Sequence, residues 1–69
     1  MTIHNALRIH REATGISQNE LHRRSGIPQN TISYWESGGG CPTVNDCLQL
    51  AKGLGITLGE LLADIDQET

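Results

Sequence analysis

Two carboxamides stand side by side at the start of a short segment whose opposite side is apolar. Gln29 and Asn30 directly follow Pro28, and Ile32 and Trp35 come after them at a spacing of three residues. A carboxamide combines a donor with an acceptor, so it can make two hydrogen bonds to the edge of an adenine. If Ile32 and Trp35 anchor the inner side of a helix, the two amides point outwards. The segment therefore predicts contacts to base edges in DNA.

Two further side chains share the outer face of this predicted helix. Ser33 and Tyr34 fall between the apolar positions and are expected to be exposed, so they join Gln29 and Asn30 as candidate base-contacting residues. Tyr34 can meet a sugar or a thymine methyl group, or it can shield the edge of the core. The two amides can likewise be ordinary solvated residues at a helix start. Both alternatives fit the sequence of this segment taken alone.

Metal and enzyme chemistry have weak support. The residues that suggest a metal do not share a helix face, and they contain no Cys-x-x-Cys pair; they are His4, His10, His22, Cys41 and Cys47. No nucleophile elbow or phosphate-binding loop is present. The glycines at 38–40 follow a predicted helix, as a helix terminator does. We expect no enzyme activity, no cofactor, no metal and no small-molecule substrate.

Start and stop signals divide the chain into five predicted helices. Glycines, prolines and capping residues mark the boundaries. The helices run from about Thr2 to Ala13, from Ser17 to about Ser25, from Pro28 to the Ser37–Gly40 break, from Thr43 to Gly55, and onwards from Thr57. No strand-like alternation competes with them, so the chain is predicted to be all-α.

The helices are predicted to have capping boxes and apolar inner stripes. In a capping box, the side chains of the cap residue and of the residue three positions later each bond a backbone N–H of the other. The candidate boxes are Ser17 with Glu20, Thr43 with Asp46, and Thr57 with Glu60. The residues expected to face inwards are Ile3, Ala6, Leu7 and Thr14; Val44, Cys47, Leu48, Leu50, Ala51 and Leu54; and Leu58, Leu61 and Leu62.

Length and charge predict one small domain with two unlike halves. The 69 residues are expected to form a single domain, with a core over about 3–63 and an acidic tail at 64–69. The net charge is −3, yet residues 1–37 carry four basic against three acidic residues, and 38–69 carry one against five. A DNA-binding face opposite an acidic face would give this distribution. No apolar run is long enough to span a membrane, and both cysteines are expected to be free thiols. The predicted location is therefore the cytoplasm, or the nucleoid when the protein is bound to DNA.

The order and spacing of many residues resemble the Cro/CI-type helix-turn-helix family, which includes lambda-repressor-like and xenobiotic-response-element regulators. The similarity covers about residues 3–63. It rests on Gly15-Ile16-Ser17-Gln18, Glu20-Leu21, Ser25-Gly26-Ile27, Thr31-Ile32-Ser33, Glu36-x-Gly38, Pro42, Leu50-Ala51 and Leu54-Gly55. The resemblance implies a compact five-helix domain in which helices 2 and 3 form the helix-turn-helix and helix 3 enters the major groove.

The resemblance also implies roles for individual residues. Base contacts would fall to Gln29, Asn30 and Tyr34, on the same outer face as Ser33. Phosphate contacts would fall to Gln18, Thr31 and Ser37, and Arg11 would form a structural ion pair with Glu36.

Three departures from the family pattern affect these expectations. His22 replaces the usual alanine near the turn, so the helix crossing is wider or the histidine is partly buried. Gly39 and Gly40 stand where cations often contact phosphate, so binding is expected to be weak and sensitive to salt. Gly53 lies inside helix 4, where glycine costs about 1 kcal/mol relative to alanine.

These features together predict a sequence-specific DNA-binding transcriptional regulator, acting as a repressor. Two copies would bind a palindromic operator with their third helices about 34–36 Å apart, and would associate through residues 58–65. The alternative is a protein-interaction module on the same fold, such as an antirepressor or a toxin-neutralising antitoxin. Its support is the net charge of −3, the missing loop cations and His22.

Overall fold

A computed structural model describes residues 2–63 of the chain. Its five helices are α1 (Ile3–Thr14), α2 (Gln18–Ser25), α3 (Gln29–Glu36), α4 (Val44–Leu54) and α5 (Leu58–Leu62). Residues 2–63 contain no strand, so the predicted all-α fold with five helices is confirmed, with boundaries shifted by at most one residue. The acidic tail predicted at 64–69 lies outside the described residues.

Four of the five helices begin with a hydroxyl side chain that accepts a hydrogen bond from the first turn. These cap residues are Thr2, Ser17, Thr43 and Thr57. The boxes predicted at α4 and α5 are confirmed in both directions, since the backbone N–H groups of Thr43 and Thr57 donate to Asp46 and Glu60. Each of these bonds satisfies a backbone group that the helix leaves unpaired.

The capping box predicted at α2 is only half correct. Ser17 Oγ accepts from the backbone N–H of Glu20 at 3.0 Å, as expected. The Glu20 carboxylate, however, accepts from Arg24 Nε at 2.9 Å, one turn further along the helix. Because a guanidinium attracts this carboxylate more strongly than a neutral amide does, the reciprocal bond to Ser17 is replaced by an ion pair.

The helices enclose one core of leucine, isoleucine and tryptophan side chains. The buried apolar residues are Ala6, Leu7, Leu21, Ile27, Ile32, Trp35, Cys47, Leu50, Ala51, Leu54 and Leu61. Ile3, Ile16, Ile56 and Leu58 pack against this core from its margins. Burying a leucine or isoleucine side chain contributes about 1.5–3 kcal/mol, and this burial is what holds such short helices in place.

Four inward positions were predicted wrongly. Val44 and Leu48 are 72% and 46% exposed, because the buried stripe of α4 passes through Cys47, Leu50 and Leu54 and both residues lie beside it. Leu62 is 36% exposed, since it lies one helix position, or about 100°, away from the buried Leu61. Thr14 is exposed as well, and its hydroxyl donates to the carbonyl of His10.

Gly53 allows α2 and α4 to lie close together. A Cβ at this position would lie 2.9 Å from Leu21 Cδ1 and 3.2 Å from the backbone nitrogen of Ser25. The absence of a side chain therefore permits the helix contact, and packing offsets the lower helix propensity of glycine. No helix among residues 2–63 is both long enough and apolar enough to span a membrane.

Candidate nucleic-acid interface

The segment from α2 to α3 forms a helix-turn-helix. Gly26 ends α2 with a φ of 80°, a left-handed conformation that side chains of L-residues disfavour, and its N–H donates to the carbonyl of His22. Three residues later α3 begins at Gln29. His22 is partly buried and its Nδ1 donates to the carbonyl of Ile27 at 2.7 Å, so the histidine stabilises the turn itself. The expectation that His22 is partly buried is confirmed.

The outer face of α3 is a continuous polar surface. Ile32 and Trp35 are 0% and 7% exposed and anchor the helix on the core. The exposed residues are Gln29, Asn30, Ser33 and Tyr34. At 100° per residue these four cover an arc of about 140°, and the half-buried Thr31 lies at its edge. The structure thus brings all four predicted base-contacting residues onto one side of one helix.

The start of α3 differs from the starts of the other helices. Its cap residue is Pro28, and no side chain accepts a hydrogen bond from the first turn. Thr31 and Ile32 donate to the carbonyl of Pro28. The two residues before them, Gln29 and Asn30, are exposed, and their backbone N–H groups lie at the free end of the helix. Unpaired N–H groups and the helix dipole make such an end attractive to an anion.

An ion pair joins the first and third helices. Arg11 Nε donates to Glu36 Oε2 at 2.7 Å and Arg11 Nη2 donates to Glu36 Oε1 at 2.9 Å, while Nη1 donates to the carbonyl of Ile16 at 2.8 Å. The two side chains are only 14% and 5% exposed. A bidentate pair of this kind is geometrically specific as well as strong. It fixes the end of α3 relative to α1.

Gln18 belongs to the same network. Its Nε2 donates to Glu36 Oε1 at 3.0 Å, which links the first residue of α2 to the last residue of α3. Burial by itself would raise the pKa of Glu36, but hydrogen bonds from Arg11 and Gln18 bring that pKa below its ordinary value. The hydrogen bond to Glu36 correspondingly raises the pKa of Arg11. The carboxylate is therefore held in its charged form between three helices.

The remaining predicted phosphate-contacting residues lie at the two ends of α3. Thr31 is half-buried in its first turn. Ser37 is exposed directly after its last turn, and its hydroxyl donates to the carbonyl of Tyr34 at 2.8 Å. Because Gln18 bonds to Glu36, it lies beside the Ser37 end. Thr31, Ser37 and Gln18 thus border the polar face rather than forming part of it.

The ring of Tyr34 packs against the glycines that follow α3. A Cβ on Gly39 would lie 2.2 Å from Tyr34 Cε1, and one on Gly40 would lie 2.9 Å from Cε2. Tyr34 as a residue is nevertheless 58% exposed. From the sequence, these glycines are recognisable only as a helix terminator and as positions where a phosphate-contacting cation is absent. No spacing rule links them to a residue on the preceding helix.

A second contact that the sequence does not indicate fixes the other end of α1. His4 Nδ1 donates to the carbonyl of Trp35 at 2.8 Å across 31 positions of the chain. Together with Arg11, it attaches the last turn of α3 to α1 at two points. Among residues 2–63, no group of histidine, cysteine and acidic side chains could hold a metal ion.

The basic side chains near this surface are not concentrated on α3. Arg24 and Arg23 lie 2.9 and 4.0 Å from the Glu20 carboxylate on α2 and remain largely exposed. Arg8 on α1 is exposed and donates to Asn5 at 3.5 Å. Exposed pairs of this kind are weak, because water and salt screen the charges. These arginines lie on the two helices next to α3.

Comparison with known proteins agrees with this architecture. A family model described as helix-turn-helix matches residues 7–61 of the chain. The chain is also similar to the uncharacterized HTH-type transcriptional regulator y4dJ of Sinorhizobium fredii (strain NBRC 101917 / NGR234). The two are 38% identical over 63 residues, which is 91% of this chain and 80% of that relative.

Proposed function

This chain belongs to the Cro/CI-type helix-turn-helix family of DNA-binding transcriptional regulators, and we propose that it recognises a specific DNA sequence by placing α3 in the major groove. One observation supports this proposal most strongly. Four exposed polar side chains cover a single arc of α3, while Ile32 and Trp35 anchor the helix on the core. An α-helix presented in this way fits the width of the major groove.

The polar face offers chemistry suited to base edges. Gln29 and Asn30 can each donate to N7 and accept from N6 of an adenine, which no other base presents in the major groove in that order. Ser33 is short and contacts either strand as donor or acceptor. Tyr34 brings a ring to a thymine methyl group and a hydroxyl to a neighbouring acceptor. We assign these four residues to base recognition.

Phosphate contacts position α3 in this proposal. A carboxamide nitrogen carries two hydrogens, and the bond to Glu36 uses one of those on Gln18, so the second is available to a phosphate oxygen. The hydroxyls of Thr31 and Ser37 border the same face and supply two more contacts, for which the Ser37 hydroxyl turns its single hydrogen from the Tyr34 carbonyl to the phosphate. The N-terminal N–H groups of α3 add a partial positive charge. With few cations nearby, affinity is low and falls further with salt.

Regulation follows from occupancy of the site. We propose that two copies bind a palindromic operator through successive major grooves and repress by blocking a promoter, in the cytoplasm and on the nucleoid. The predicted self-association surface at 58–65 includes the exposed Leu62, while Ile65 lies outside the described residues. Leu62→Glu is expected to weaken self-association in sedimentation equilibrium, and an unchanged dimer would exclude this surface.

Selection from a library of random duplexes tests the function directly. The purified chain should enrich one motif at low salt and the same motif, more weakly, at physiological salt. A protein-interaction module on the same fold would enrich no sequence at either salt concentration. That second result would reject the proposed function.

A single substitution tests the assignment of bases. Gln29→Ala is expected to cost about 1–3 kcal/mol at one base position of the selected site while leaving the other positions unchanged. Asn45→Ala is the matched control, because Asn45 is an exposed amide on α4. If Gln29→Ala binds the selected site and its base variants as the wild type does, Gln29 makes no base contact.

A further inference from the structure

We infer that Gly39 is a positioning residue for Tyr34: the bare backbone of Gly39 provides the surface on which the Tyr34 ring rests, and this fixes how the ring meets a base pair. The inference rests on the proposed function, since it concerns one residue of the proposed base-recognition surface. It begins from the contact between the two residues. No feature of the sequence connects them.

The geometry places Gly39 against the face of the ring. A Cβ at Gly39 would lie 2.2 Å from Cε1, 2.5 Å from Cζ and 2.6 Å from Cδ1 of Tyr34. The Cβ position is thus almost equally distant from three consecutive ring atoms, as a point above the face of the ring is. A point in the plane of the ring would be clearly farther from the two outer atoms than from the nearest one. Any side chain at position 39 would therefore displace the ring.

The backbone conformation does not itself require glycine at this position. Gly38 and Gly40 have φ values of 98° and 57°, so both adopt a left-handed conformation that glycine favours. Gly39 is not among the residues with positive φ. An alanine could thus adopt the local backbone conformation of Gly39, and the three atoms nearest to its Cβ would all belong to the Tyr34 ring. The requirement for glycine comes from the ring.

The loop is tied to the residue that it supports. The backbone N–H of Gly39 donates to the carbonyl of Tyr34 at 2.9 Å, and Ser37 Oγ donates to the same carbonyl at 2.8 Å. These two bonds therefore hold the backbone of Gly39 at a fixed distance from the Tyr34 ring. An exposed tyrosine usually loses side-chain freedom when it binds, and a ring that is already held loses less. Position 39 thus influences recognition through Tyr34.

A measurement without DNA tests the contact itself. Protons above an aromatic ring resonate upfield, so the α-protons of Gly39 should be shifted upfield in the NMR spectrum of the wild type. Tyr34→Leu should return them to ordinary glycine values. If the Gly39 protons are already at ordinary values in the wild type, the ring does not rest on this glycine and the inference is wrong.

Selection of duplexes tests the consequence for recognition. Gly39→Ala and Tyr34→Ala should each reduce or change the base preference at the same base pair, by roughly 5- to 150-fold. The preference at the base pairs contacted by Gln29 should stay as it is in the wild type. In the Tyr34→Ala background, Gly39→Ala should have no further effect on preference. Asn45→Ala is the control, because Asn45 is an exposed amide on α4, outside the outer face of α3 and outside the proposed self-association surface at 58–65.

The outcomes separate this inference from the proposed function. A wild type that selects no sequence rejects the proposed function, while the NMR spectrum still reports whether Gly39 supports the ring. A wild type that selects a motif and a folded Gly39→Ala variant that selects the same motif with the same preferences overturn the inference alone. Equal effects of Gly39→Ala in the presence and absence of the tyrosine ring would also overturn it.

Discussion

Replacing Arg11 with methionine should remove a large part of the stability of this domain. The substitution keeps the aliphatic stem and removes the bidentate contact to Glu36, whose side chain is 5% exposed. Leaving a buried carboxylate without its cation costs about 3–5 kcal/mol. A chain of this length has about 3–10 kcal/mol in total, so Arg11→Met is expected to be marginally folded or unfolded at 25 °C.

Urea denaturation followed by far-UV circular dichroism measures this loss through the linear extrapolation of the unfolding free energy. The variant with methionine at both Arg11 and Glu36 is the informative control. Because it removes both charges together, it should recover much of the stability lost in Arg11→Met. A loss of less than about 1 kcal/mol in Arg11→Met would show that solvent screens the pair, and the structural role assigned to it would be wrong.

Three further predictions concern packing and titration. Gly53→Ala should lower the thermal unfolding midpoint despite a helix-propensity gain of about 1 kcal/mol. Gly59→Ala should raise the midpoint or leave it unchanged. A midpoint that rises in Gly53→Ala and falls in Gly59→Ala would contradict the close contact between α2 and α4. The lowered pKa of Glu36 means that its carboxylate stabilises the fold above the ordinary glutamate value of 4.5 and that this contribution is lost as pH falls through the lower folded-state pKa. Glu36→Gln should therefore flatten the decrease in unfolding free energy on acidification, and an unchanged pH profile would contradict this. Burial raises the pKa of the Cys47 thiol while Cys41 is exposed, so a disulfide reagent should modify Cys41 first and Cys47 only on unfolding; equal rates in the folded protein would exclude this arrangement.

The features that the sequence predicts correctly depend on neighbouring residues. Thr43 and Thr57 can be identified as caps because the partner of each lies three residues away. The outward direction of Gln29 and Asn30 follows from the positions of Ile32 and Trp35 within the same helix. The helical period carries this information without any knowledge of the tertiary fold.

The features that cannot be predicted from the sequence depend on contacts between distant segments of the chain. The packing of α2 and α5 on α4 decides which flank of its apolar stripe is covered, so Val44 and Leu48 were predicted to be buried and are exposed. The Gln18–Glu36 hydrogen bond spans 18 positions. The support of Tyr34 by Gly39 depends on how the chain turns after α3, and periodicity does not describe turns.

A titration of the ¹⁵N-labelled chain with its selected duplex, followed by NMR, tests the central claim most directly. The amides and side chains of Gln29, Asn30, Ser33 and Tyr34 should show the largest chemical-shift changes, and an unrelated duplex should leave their side-chain signals close to the free positions. Tight, specific binding that leaves the signals of α3 unchanged and moves those of another surface would contradict the proposal that the outer face of α3 contacts the bases.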